Sequence, residues 1–128
     1  DEEQMQGNIK KQMKQGIDNS NCVAVFITKR YVSKVSGENA GDNCQLEFNY
    51  AGLHKTGANM IAVVMEPEMR NTQLWDEVGL TLGSNLYIDM SGDLDDEEYL
   101  KEKCEELKQS ILLRNDMLVE KFHANISQ

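Results

Sequence analysis

A chain of 128 residues, 40% hydrophobic and 27% charged, can bury one core, and its composition is that of an ordinary single globular domain, residues 1–128. Thirteen basic against twenty-two acidic residues leave a net charge of −9, which argues against a nucleic-acid or anionic-membrane partner. No apolar run approaches the roughly 20 residues that span a bilayer, and with no CxxC pattern and two histidines no metal site is expected.

Much of the acidic excess lies between Asp93 and Glu106 and reads as a solvated helix face. Cys22, Cys44 and Cys104 are odd in number and widely spaced, as in reduced thiols of a cytoplasmic protein. The chain opens Asp1-Glu2-Glu3 without a start methionine or a signal-peptide pattern, the mark of a piece of a longer protein.

Residues 1–7, acidic and polar and closed by Gly7, predict a loop. Ile9, Met13 and Ile17 recur at helical spacing and predict an amphipathic helix from Asn8 to Asn19, with Asn8 as N-cap. The run Cys22-Val-Ala-Val-Phe-Ile-Thr28 predicts a strand buried on both faces. Tyr31 to Val35 reads as a short helical turn, and residues 36–42 as a glycine-containing loop. A helix follows from Asn43 to Lys55 with Leu46, Tyr50 and Leu53 as its core stripe. Asn43, Glu47 and His54 share another face, and Thr56-Gly57 ends the helix.

Met60 to Met65 predicts a second buried strand, stopped at Glu66-Pro67. Asn71 to Leu80, with the only tryptophan, Trp75, predicts a short helix or ordered loop. Leu86-Tyr-Ile88 is a third strand. Asp95 and Glu98 resemble a capping box before a long helix with Leu100, Cys104, Leu107, Ile111 and Leu118 along one stripe; residues 8–118 form the core, and 119–128 a fraying tail. Strands alternating with helices imply an α/β fold with a parallel sheet and right-handed crossovers. In such sheets the working crevice lies beyond the carboxyl ends of the strands, here around Thr28, the loop after it and Glu47.

Gly7-Asn-Ile, Gly16-Ile-Asp-Asn-Ser20, Val23-Ala-Val-Phe-Ile-Thr28, Tyr31 and Asn43-Cys44-Gln-Leu-Glu47 occur in that order. Together they resemble the Toll/interleukin-1 receptor (TIR) domain family over roughly residues 1–113, closer to enzymatic and protist-like members than to vertebrate receptor tails. The family places an Ile-x-x-Ser turn after its second helix, a Ser or Thr at the end of a buried strand with an aromatic three residues on, and Cys-x-x-Glu at the start of the next helix. The resemblance implies a flavodoxin-like three-layer fold, truncated at its N-terminus, because the family's opening strand, helix and second strand have no counterpart here. The missing strands belong beside Cys22–Thr28, which then becomes an apolar edge. That leaves a shortened chain, a partner that supplies the strands, or a strand that pairs with its own copy.

The resemblance further implies NAD⁺ glycohydrolase chemistry in intracellular signalling or defence, with NAD⁺ as substrate, no separate cofactor, and activity on homotypic self-association. Glu47 matches the catalytic carboxylate, and its apolar neighbours Cys44, Phe48 and Ala51 are expected to desolvate it and raise its pKa. Thr28, Tyr31, Asn43, Cys44, Asp1, Gly7 and Trp75 are the expected substrate contacts. Asn43 stands where the family has a tryptophan expected to stack on nicotinamide, leaving Tyr31 or Trp75 to substitute. Each residue has a plainer reading: Glu47 as a surface carboxylate near a helix N-terminus, Thr28 as a strand terminator, Tyr31 and Trp75 as packing aromatics, Asp1 and Gly7 as a terminal segment, and Cys44 as a small buried hydrophobe. A non-enzymatic TIR scaffold is the alternative function. A phosphate-accepting receiver is disfavoured, since it wants acidic residues where the main strand ends in Thr28.

Overall fold

The computed structural model describes residues 2–37, 42–55 and 57–126. Asp1, residues 38–41, Thr56 and the side chain of Leu118 lie outside the described residues. The elements run α1 (Glu2–Asn19), β1 (Val23–Ile27), α2 (Lys29–Val35), α3 (Asn43–Lys55), β2 (Met60–Val64), α4 (Asp76–Leu82), β3 (Tyr87–Asp89) and α5 (Glu97–Ile126). Short 3-10 turns occupy Gly57–Asn59, Pro67–Arg70 and Thr72–Trp75.

The strands form a parallel sheet in the order β1-β2-β3. Val23 pairs with Met60 and Ile27 with Val64; Ala62 pairs with Tyr87 and Val64 with Asp89. Both crossovers step the same way across the sheet, so the right-handed rule sends their helices to one face. On that face Phe48 and Ala51 of α3 and Val78 and Leu82 of α4 join Ile17 of α1 against Val25, Ile27, Met60, Ala62 and Val64. On the other, Leu107 and Ile111 of α5 cover Ile61, Val63 and Ile88. The sheet between two helix layers is the expected α/β arrangement.

Several expectations are corrected. The strand buried throughout is β2, with all five residues inside, because it alone has a neighbour on each side. β1 is an edge among the described residues, as the resemblance implied, but it is not buried on both faces, since Phe26 on it is 48% exposed. Residues 2–7 form the first turns of α1 and not a loop; acidic residues at a helix start favour the helix dipole. The stripe Leu46, Tyr50 and Leu53 faces α1, where it lines a depression with Met13, and Leu53 is 79% exposed. Phe48 and Ala51 are the residues of α3 that reach the core. The third strand begins one residue later than expected, leaving Leu86 outside it. On α5, Leu107 and Ile111 pack on the sheet while Leu100 and Cys104 are exposed, and the helix runs to Ile126.

Asp89, closing β3, accepts hydrogen bonds from the Ser91 amide and hydroxyl and pairs with Arg70 at 3.0 Å. Partial burial pushes its carboxyl up, but the Ser91 bonds and the Arg70 guanidinium outweigh this and hold it below the usual carboxylate value. A depressed folded-state pKa adds stability that is present above the unfolded value of about 3.9 and lost as pH falls through the folded value. Urea midpoints of wild type and Asp89→Asn are therefore expected to differ at pH 6 and to converge toward pH 2; a gap independent of pH would remove this role.

Candidate functional site

The site is built on the turn that leaves β1. Thr28 has extended backbone, and its Oγ1 accepts the Tyr31 amide at 3.0 Å, so it is the N-cap of α2. That bond satisfies a helix-end donor and aims the first turn of α2. The Asp42 carboxylate caps α3 in the same manner, accepting the Cys44 amide at 2.8 Å. The Gln45 amide donates to the carbonyls of Val35 and Gly37, both at 2.9 Å, and ties α3 to the end of α2. These local bonds bring Tyr31, three residues after Thr28, against α3.

Tyr31 is half-buried and meets Phe48 edge-on, ring centroids 6.5 Å apart. Burial raises its hydroxyl far above the ordinary tyrosine value, with Glu47 and then Cys44 adding to the shift. The phenol is therefore neutral at physiological pH and able to donate a hydrogen bond. Glu47 and Tyr31 line a groove of about 240 Å³ with Val23 to Phe26, Phe48 and Ala51. Glu47 thus stands at a hollow, but one that runs along the open side of β1 and not at its carboxyl end as expected. The residue is exposed, so the expected desolvation by its apolar neighbours is corrected: Phe48 and Ala51 turn into the core and leave Glu47 at the rim.

Beyond Tyr31, a second pocket of about 180 Å³ is lined by Thr28, Arg30, Tyr31, Lys34 and Cys44. Burial and the Asp42 carboxylate push the Cys44 thiol up, Lys34 opposing them, so Cys44 is protonated at neutral pH and poorly suited to be a nucleophile. Arg30 and Lys34 were not among the expected site residues. The signal was present as two cations four residues apart on the segment that follows a strand ending in Thr28.

Other expected contacts lie elsewhere. Trp75 is fully buried, donates its indole N–H to the Met69 carbonyl at 2.7 Å and meets Tyr87 edge-on. It cannot stack on a ligand, because its ring faces are committed to the core. Asn43 is exposed at the start of α3 and lines neither the groove nor the pocket. Gly7 lies inside α1 and likewise lines neither. His54 is exposed and packs on Tyr50, 4.1 Å between centroids, as a surface residue does. A larger depression, about 480 Å³, is formed by Lys29, Ser33, Glu68, Met69, Leu74 and Asp76 with Val32, and excludes both Glu47 and Tyr31. Among the described residues no cluster of potential metal ligands occurs, and no helix is long and apolar enough to cross a membrane.

Thr28→Ala is expected to cost about 1 kcal/mol through the lost cap. It should lower the urea midpoint at unchanged slope, with Thr28→Ser close to wild type. An alanine variant as stable as wild type would show that the turn does not depend on this hydroxyl.

No curated protein and no solved structure matches the chain. A family model described as "TIR domain" matches residues 1–106, from α1 into the first third of α5. With the parallel α/β sheet and the order of the motifs around Thr28 and Glu47, that match places the chain in the TIR domain family, whose members serve in signalling and defence and commonly associate with one another.

Proposed function

We propose that this domain hydrolyses NAD⁺ at the nicotinamide–ribose bond, releasing nicotinamide and ADP-ribose or a cyclic variant, within cytoplasmic signalling or defence and on self-association. The observation that carries this reading is the position of Glu47, a carboxylate at the rim of a groove whose other walls are apolar or aromatic. Breaking the bond develops an oxocarbenium-like ribose. Nicotinamide leaves as a neutral molecule from a cationic ring, so the departing group takes no proton and no strong general acid is required. A carboxylate beside the ribose stabilises the developing positive charge or traps it covalently. Glu47 takes that role, and the Tyr31 ring closes the groove beside it. Water, or the adenine ring of the same nucleotide, completes the reaction at the ribose carbon.

The second reading is a non-enzymatic scaffold that acts through TIR–TIR contacts. Two observations favour it: the family's tryptophan position holds an exposed Asn43, and Trp75 is enclosed in the core, so no tryptophan lines the groove, whose aromatics are Tyr31, Phe26 and Phe48. Incubating the concentrated protein with NAD⁺ and following nicotinamide by chromatography separates the two. Time-dependent release that Glu47→Ala abolishes upholds the hydrolase; no release at any concentration removes the hydrolase reading for this chain.

A further inference from the structure

Arg30 and Lys34 stand one helical turn apart on α2, a spacing that puts both on one face. With Thr28, Tyr31 and Cys44 they line the pocket at the carboxyl end of β1, where open α/β sheets bind their ligands. Among the described residues neither cation belongs to an ion pair. The charged side chains that line the pocket are both cationic, although the Asp42 carboxylate at the start of α3 also acts on Cys44, and two cations against that one carboxylate attract an anion. An arginine fork and a lysine point charge are the two side chains best suited to phosphate oxygens. The Thr28 hydroxyl adds a donor: its oxygen already accepts the Tyr31 amide, which leaves its proton free to point outward.

Tyr31 lines this pocket and the Glu47 groove alike, so the two are neighbours divided by one side chain. A diphosphate set directly against Glu47 would be repelled. Set on the far side of Tyr31 it meets two cations, while the electron-poor ribose–nicotinamide end meets the carboxylate. We propose that Arg30, Lys34 and Thr28 form an anion subsite that holds the diphosphate of a dinucleotide whose nicotinamide riboside end lies at Glu47. The inference rests on the NAD⁺ reading and fixes the direction in which the substrate lies: from the groove along the open side of β1, past Tyr31, to Thr28 and the cations of α2.

The test is ADP-ribose binding by calorimetry, and the kinetics of nicotinamide release, in the full chain carrying Arg30→Gln and Lys34→Gln together. Arg30 is exposed and Lys34 half-buried at the surface, and circular dichroism checks that the variant is folded. ADP-ribose affinity is expected to fall at least tenfold and KM to rise in proportion, with kcat within threefold of wild type. Lys10→Gln with Lys14→Gln removes the same charge from α1 and is expected to change neither by more than twofold. Glu47→Gln should bind ADP-ribose as wild type does. Undiminished binding by the α2 variant, an equal loss in the α1 variant, or no binding by wild type overturns the subsite. Binding that depends on the two cations without any nicotinamide release upholds the subsite and removes the hydrolase reading. Release with KM untouched by the α2 variant does the reverse.

Discussion

Replacing Glu47 with glutamine is expected to lower the rate of nicotinamide release at saturating NAD⁺ by at least about 100-fold, with KM within about threefold of wild type. Glutamine keeps the size and loses the charge. The groove therefore still accepts substrate, but the ribose cation forms without a counter-charge. A 100-fold loss is about 2.7 kcal/mol of transition-state stabilisation, within the range seen when one preorganised electrostatic partner is removed. Stability should not change, because Glu47 is exposed and takes part in neither described ion pair. Cys44→Ser is the companion measurement. Burial and Asp42 keep that thiol protonated, so the serine variant should retain most of the rate. A Glu47→Gln enzyme within threefold of wild type, or a Cys44→Ser enzyme without activity, would move the chemistry away from Glu47.

The largest effect on stability is expected at Trp75. Its ring is fully buried among the residues that join the helix layer to the sheet, and its N–H bonds to the Met69 carbonyl at 2.7 Å. Trp75→Ala removes a large buried surface and leaves a cavity, at a cost of about 3–5 kcal/mol. The Met69 carbonyl loses its partner in addition, a penalty of about 1–3 kcal/mol if water does not reach it. Domains of this size are stable by roughly 5–15 kcal/mol, so the variant should be partly or wholly unfolded at room temperature. Trp75→Phe keeps most of the packing and should retain a cooperative transition at a lower urea midpoint. Circular dichroism is the probe, since the variants lack the only tryptophan. An alanine variant with near-native stability would contradict the burial and the bond together.

The elements themselves were legible because each is specified by neighbours in sequence. Alternating apolar strands and helical stripes, the proline after β2, and the strand–turn–helix order around Thr28 all belong to local periodicity and turn chemistry. The run of motifs from Gly7 to Glu47 was enough to read the family. Where the reading depended on the burial of one face against another, it failed. Leu46 and Phe48 are both apolar and two residues apart on α3, and nothing in the helix itself says which faces the sheet and which faces α1. Trp75 carried the same ambiguity, because an aromatic in a short irregular segment suits a ligand cleft as well as a core.

Fold class, parallel sheet and the pairing of a strand-end threonine with a downstream Cys-x-x-Glu helix were determined by sequence alone, since they rest on spacing and local conformational preference. Tertiary structure decided that β2 and not β1 is the interior strand, that Glu47 stands at an exposed rim along an open edge, and that Arg30 and Lys34 share a pocket with Thr28. Strand order and the rotation of each helix about its axis are set by long-range contacts between segments far apart in the chain. Such contacts leave no periodic trace in the residues that make them.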